Sequence, residues 1–393
     1  MTVKMANAFK TGKYTNYFTE LGYSPEEVEK RLNDDFNTVF FGPEDQRIFH
    51  ESGDDMGYMV DTGNDDARTE GMSYGMMMAV QFDRKDVFDR LWKWSKTYMW
   101  HADGKYSGYF AWSAKLDGTR NAQGPAPDGE EFYAMALLFA SNRWGDGEGI
   151  FNYSAEAKAI LHECVHKGEN GEGDPMFDPD NTYIRFVPEV TFTDPSYHLP
   201  HFYELFALWG NPEDSEFFKK AAAESRLFLQ KACHPVTGLN PEYANYDGTP
   251  HNRNNHHHFF SDAYRTIANI GLDYEWFGAD EWQRECADNI QKFFCETVKG
   301  KEDVIYAVDG TPVTDPDDMV KVREGTTNVL HPVGLLATNA QGSLAANKTA
   351  NRDECIRKLW DTPLRSDKRR YYDNLLYLFA MMALSGNYRI YGK

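Results

Sequence analysis

Arg68-Thr69-Glu70-Gly71-Met72-Ser73-Tyr74-Gly75-Met76-Met77-Met78 is followed, after four more residues, by Asp83-Arg84-Lys85-Asp86-Val87-Phe88-Asp89-Arg90-Leu91-Trp92-Lys93-Trp94. The first stretch is apolar and rich in small residues. The second is amphipathic, with Val87, Leu91 and Trp94 on one face, as an outer helix requires. Helical periodicity recurs along the whole chain. It predicts helices at Pro25–Asn37 after a Ser24 cap, Glu70–Gln81, Lys85–Met99, Gly129–Asn142, Ala155–His166 and Ser196–Trp209. A further six are expected at Glu213–Ala232, Asp262–Ile270, Asp280–Thr297, Val333–Ala346, Arg352–Trp360 and Tyr371–Leu384. No alternating strand series interrupts them. Dividing 393 residues among six helix pairs leaves about 65 per pair, which suits an all-α toroid of six hairpins. A helical solenoid is the competing arrangement, but no fixed-period repeat supports it. Nor does any linker split the chain, so one domain over 1–393 is expected.

Composition narrows the function. Sixty-one acidic against 41 basic residues give a net charge of −20, which repels phosphate backbones and excludes nucleic acid as a natural partner. Five cysteines, with no CxxC spacing, indicate neither a disulfide framework nor a structural zinc. The first ten residues, Met1–Lys10, contain no apolar leader, and no run of about 18 apolar residues occurs, so a cytoplasmic protein away from membranes is expected. Composition leaves oligomeric state undetermined.

Three acidic residues stand at the heads of apolar helical runs. Glu70 leads into Gly71–Met78, where desolvation favours a protonated carboxyl suited to a general acid. Asp128 follows Pro127 and precedes Gly129–Ala140, and Asp262 lies in His258-Phe259-Phe260-Ser261-Asp262-Ala263-Tyr264-Arg265. Arg265, one turn on, can hold a carboxylate ionised. The plain alternative is that all three are helix caps or dipole partners. Their aromatic surroundings argue for more.

These segments resemble glycoside hydrolase family 8. The resemblance rests on Ala126-Pro127-Asp128-Gly129-Glu130, running through Ala134, Ala136 and Ala140 to Trp144, and on Glu70-Gly71-x-Ser73-Tyr74-Gly75-Met76, Asp194-Pro195-Ser196-Tyr197 and Ser261-Asp262-x-x-Arg265, in the family's order. Pro127, Glu130 and Tyr133 depart from the usual pattern. Within the family the chain looks most like the exo-oligoxylanases that release xylose from the reducing end. The resemblance implies an (α/α)6 barrel and an inverting hydrolase, with Glu70 as general acid, Asp262 as general base and Asp128 as an orienting carboxylate. Its substrates would be xylo-oligosaccharides of three or more units, cut without cofactor or metal. An endo-acting family 8 enzyme and a non-catalytic carbohydrate-binding toroid remain as alternatives.

Other candidates surround these three. Tyr197 and Arg265 resemble family positions around the base. Phe110 and Trp112, in Tyr109-Phe110-Ala111-Trp112-Ser113, would share one side of an extended segment and could form a sugar platform or simply pack in a core. Tyr371 and Tyr372 look like the family's last site loop, with the choice between them open. Leu330-His331-Pro332 resembles the kink that closes the cleft in exo-acting members, where the His would read the anomeric hydroxyl of the reducing sugar. His256-His257-His258 invites a metal, yet adjacent loop residues seldom converge on one ion and no partner lies at helical ligand spacing. No metal site is therefore expected. Two long loops, His166–Thr193 and Lys299–Asn328, are read as site-forming.

Overall fold

The computed structural model describes residues 7–169, 171–322, 325, 326 and 329–392. Residues 323, 324, 327 and 328 of the Lys299–Asn328 loop, residue 170 of the His166–Thr193 loop, and the first six residues of the Met1–Lys10 segment lie outside them. Two single-turn helices, α1 (Ala8–Thr11) and α2 (Tyr17–Glu20), precede twelve longer ones: α3 (Pro25–Phe41), α4 (Thr69–Gln81), α5 (Lys85–Trp94), α6 (Pro127–Trp144), α7 (Tyr153–His166), α8 (Pro200–Trp209), α9 (Ser215–Ala232), α10 (Tyr264–Phe277), α11 (Trp282–Lys292), α12 (Pro332–Gln341), α13 (Ala350–Asp361) and α14 (Arg370–Leu384). Only short two-stranded ladders accompany them among the described residues. One is a hairpin of β1 (Phe49–Ser52) and β2 (Met56–Met59), in which Phe49 faces Met59.

All twelve expected helices occur, with altered ends. Ser24 caps α3 through a capping box with Glu27. The segment read as one helix from Ser196 is broken: a 3-10 turn over Pro195–Tyr197 ends before α8, because Pro200 can only occupy a first turn. Both α5 and α11 run on as π-helical turns, Ser95–Met99 and Phe293–Thr297.

Helices alternate between two kinds. In α4, α6 and α14 nearly every residue is buried, which is why their sequences show little amphipathicity. By contrast α5, α9 and α11 bury one face only. Five inner helices pack on the next helix in sequence, α4 on α5, α6 on α7, α8 on α9, α10 on α11 and α12 on α13, while α14 closes the set by packing on α3 from the other end of the chain. Contacts also run from α4 to α6, α8, α10, α12 and α14 in turn, and from α14 back to α4. The N-termini of α4, α6 and α10 carry the acidic residues singled out above.

Candidate active site

The cap readings do not hold. Arg68, Ala126 and Phe260 occupy the cap positions before Glu70, Asp128 and Asp262, and none makes a side-chain cap bond. Glu70 and Asp128 are each the second residue of their helix, and Asp262 lies in the 3-10 turn Ser261–Ala263 that feeds α10. Ser261 adopts φ of 40°, a left-handed conformation that costs a non-glycine residue about 1–3 kcal/mol and is typically retained where a neighbour must be aimed. That neighbour is Asp262.

Two glycines explain how closely the helix starts approach each other. A Cβ on Gly71 would lie 2.5 Å from the Tyr371 ring, and one on Gly129 would lie 2.5 Å from the Thr69 side chain. With hydrogen in those places, the first turns of α4, α6 and α14 close together.

Arg265 joins the acidic groups. Its Nη1 donates to Glu70 Oε2, Asp128 Oδ2 and the Tyr74 hydroxyl, each at 2.9 Å, and its Nη2 is 3.5 Å from Asp262 Oδ2 and 4.0 Å from Asp194 Oδ2. The guanidinium sits against the Tyr197 and Tyr372 rings, at 5.5 and 5.9 Å. One cation therefore serves four carboxyl groups and cannot balance all of them. Burial pushes the Glu70 carboxyl up to about 8; Arg265 opposes the rise, and Asp128 and Asp262 add to it. The close Arg265 contact would by itself favour an ionised Glu70. Burial prevails because the same guanidinium is shared with Asp128 and Asp262. Burial likewise raises Asp128 and Asp194 above the ordinary carboxylate range. Asp262 is the most open of the four, its side chain 29% exposed. The arrangement sets a carboxyl that burial holds toward its protonated form and a more solvent-accessible carboxyl around one cavity.

That cavity, about 750 Å³, is a cleft lined by Glu70, Asp128 and Asp262 and walled by aromatic residues. Tyr371 donates from its hydroxyl to Glu70 Oε1 at 3.0 Å, while Tyr372 donates to the Ser261 carbonyl at 3.4 Å. Both line the cleft, one beside each expected catalytic group. Trp112 presents an exposed ring under the Arg68 guanidinium, and Tyr197 lies on Phe186. Leu330 and His331 form another stretch of wall, with His331 Nδ1 2.9 Å from Asp373 Oδ2. Asp373 also accepts from Gly334 N and Arg365 Nη1, so the His331 ring is held from behind. Both long loops reach the cleft, through Phe186 and Val187 and through Val320 and Lys321.

Phe110 does not belong to this group. It is fully buried against Trp92 and Tyr133, and only Trp112 of the pair reaches the cleft. The backbone there is pinned from inside: Phe110 N donates to Glu130 Oε1 at 2.9 Å. Glu130 is itself buried, which drives its carboxyl far toward the neutral form. The segment is thus no regular strand, and the shared-face expectation fails with it.

Sequence reasoning missed a second layer. Glu242 Oε1 is 3.4 Å from the Asp262 backbone N–H, and its other oxygen is 2.6 Å from His256 Nδ1. Burial lifts Glu242 to about 7 even with His256 beside it. Glu242 sits in no periodic segment, so no pattern marks it, and His256 reads only as part of a possible metal triplet. Tyr74 was findable, being four residues after Glu70 on the same helix face.

A carboxyl pair flanking an aromatic-lined cleft at the heads of paired helices defines a class of sugar-cleaving enzyme. The chain belongs to glycosyl hydrolases family 8, whose family model matches residues 53–386. It is 55% identical to the reducing-end xylose-releasing exo-oligoxylanase Rex8A of Paenibacillus barcinonensis over 100% of both chains. Identity is also 55% to the reducing end xylose-releasing exo-oligoxylanase of Halalkalibacterium halodurans, covering 98% of this chain and 96% of that one. The structure of Rex8A complexed with xylose superposes with a TM-score of 0.93 at 55% identity, covering 98% of this chain and all of the other.

Proposed function

We propose that this chain is an exo-acting hydrolase that removes xylose from the reducing end of xylo-oligosaccharides of three or more units, with inversion at the anomeric carbon. It does so on an (α/α)6 barrel formed by the whole chain as one domain. The closed circuit of packed helices from α4 through α14, each backed by a partner helix, supports that barrel. The observation that carries the chemistry is the asymmetry of the carboxyls around Arg265: Glu70 buried and raised to about 8, Asp262 partly open to solvent.

Glu70 then gives its proton to the departing glycosidic oxygen. Asp262 takes a proton from the water that attacks from the other face, and Asp128, held by Arg265, orients water and sugar. Inversion needs room for that water, so the Glu70 and Asp262 carboxyls are expected roughly 6.5–9.5 Å apart. Tyr197, Arg265, Trp112, Tyr371, Tyr372, Leu330 and His331 shape the sugar sites. Five free, buried cysteines suit a reducing compartment, in keeping with a cytoplasmic enzyme fed by imported oligomers. Among the described residues no helix is long and apolar enough to cross a membrane.

Product NMR on xylotriose tests the whole reading. Release of xylose together with xylobiose whose newly formed reducing end is the inverted α-anomer is expected, and Glu70→Gln and Asp262→Asn should each lose at least about 10²-fold in rate. A retained anomer, or wild-type turnover in either folded variant, overturns the assignment. An endo-acting hydrolase would instead cut polymeric xylan or reduced oligomers efficiently.

A further inference from the structure

The three consecutive histidines divide their rings between two tasks. Backbone pairing fixes the segment, with Tyr243 N donating to the His256 carbonyl at 2.7 Å and Glu242 N to the His258 carbonyl at 2.9 Å. His256 turns toward Glu242, on the cleft side. His257 and His258 turn the other way, their rings 3.9 Å apart between centroids, and both aim Nε2 at one carboxylate. Asp318 Oδ1 lies 3.3 Å from His257 Nε2, and Asp318 Oδ2 lies 3.0 Å from His258 Nε2. One ligand atom from each of the three residues falls within 4.8 Å of the others.

Sequence spacing set a metal aside here for want of an acidic partner. The fold supplies one sixty residues away, on the 3-10 turn Pro316–Asp318 of the Lys299–Asn328 loop. Asn254 and Asn255, both with positive φ, make the reversal that brings the histidines round, and Asn255 Nδ2 donates to the Asp317 and Met319 carbonyls at 2.8 and 3.0 Å. The two loops are therefore already in register. His258 is buried with its Nδ1 unpartnered, while Asp318 is 43% exposed in its side chain and leaves an entry path.

We propose that His257, His258 and Asp318 bind a first-row divalent cation of the zinc, cobalt or nickel kind. Two imidazole nitrogens and one carboxylate, with the remaining positions left to water, match the ligand preferences of those ions and not of magnesium or calcium. The ion ties the Lys299–Asn328 loop, whose Val320 and Lys321 line the cleft, to the loop that carries Asp262. It takes no part in the hydrolysis. A second cluster, His162, His166 and Asp214, competes poorly, because both His166 nitrogens are already engaged by carboxylates, Glu169 at 2.8 Å and Asp214 at 2.6 Å.

The test is titration of chelator-treated protein with Zn²⁺ by calorimetry, together with the visible d–d spectrum of the Co²⁺-loaded form and the melting temperature with and without metal. Expected are one tight equivalent, a Co²⁺ spectrum of nitrogen-ligated character and a raised melting temperature. Asp318→Asn and, independently, His257→Gln should remove all three signals, and His162→Gln should keep them. Two variants on separate loops guard against one that fails to fold. No Zn²⁺ uptake by the wild type, or uptake that survives both Asp318→Asn and His257→Gln, overturns the proposal.

Discussion

Desolvation at Glu70 is foreshadowed by the apolar run Gly71-Met72-Ser73-Tyr74-Gly75-Met76, and an acid role is suggested only with Asp128 and Asp262 leading similar runs. What the sequence could not convey is the sharing of Arg265 with Asp128, Asp262 and Asp194, which decides that burial wins over the ion pair. A pH signature follows. On the proposed mechanism Glu70 donates only while protonated, so kcat should fall as pH rises through about 8. Stability moves the same way. The folded value lies above the ordinary 4.5, so the folded state holds a proton that the unfolded chain has released between those limits. Glu70 thus contributes stability that is fully present below about 4.5 and is lost as pH rises through about 8. Glu70→Gln removes that loss, and its melting temperature should gain on the wild type as pH is raised from 5 to 9. A constant difference across that range would show that Glu70 is ionised throughout. For Asp128, a cap alone would cost about 0.5–2 kcal/mol of stability when replaced. As the structure has it inside the helix and on Arg265, Asp128→Asn should lower kcat severely with the fold intact, measured by kinetics beside a thermal melt.

Elements were read better than their ends. Periodicity found the twelve longer helices because buried and half-buried faces repeat regardless of what they face. It failed where proline intervenes, as at Pro200, and where chemistry overrides pattern, as in the Phe110–Trp112 segment pinned by Glu130. The β1–β2 hairpin had no signal to follow, and His256 carried none pointing to Glu242. Closeness of the helix starts is likewise invisible in one sequence, though Glu70-Gly71 and Asp128-Gly129 carry its trace. Gly129→Ala would force a methyl to within 2.5 Å of Thr69, the residue just before Glu70. Overpacking of that kind costs about 1–3 kcal/mol. The expected result is a lower melting temperature and, because α4 and α6 must separate, a drop in kcat larger than any change in KM. Unchanged kinetics in Gly129→Ala would show that the two carboxyls tolerate being moved.

At the scale of the whole molecule, end selectivity requires that distant segments meet at one wall. Leu330-His331 precedes α12, Asp373 lies in α14 and Arg365 in the turn between α13 and α14, yet the three converge: Arg365 Nη1 donates to the Leu330 carbonyl at 2.9 Å and to Asp373 Oδ2 at 2.7 Å. Pro332 starts α12 and restricts His331 to a non-helical backbone. With Asp373 already accepting from Gly334 N and Arg365 Nη1, a donor on His331 Nδ1 suits its remaining contact with Asp373 and would leave Nε2 for the cleft. A reducing-end anomeric hydroxyl can donate to that nitrogen, and a reduced or glycosylated end presents no such group in the ring geometry. Leaving a buried polar group unpaired costs about 1–3 kcal/mol, or about 5- to 150-fold in rate. Wild-type enzyme should therefore cleave xylotriose at least about fivefold faster than its borohydride-reduced form. His331→Ala should slow xylotriose and bring the two rates together, because the group that senses the hydroxyl is gone. Asp373→Asn separates sensing from support. It leaves the ring in place but no longer dictates which nitrogen holds the proton, so part of the discrimination should go while the imidazole remains. If His331→Ala keeps the full preference for the unreduced end, the selectivity resides in the shape of the Leu330 wall rather than in a hydrogen bond.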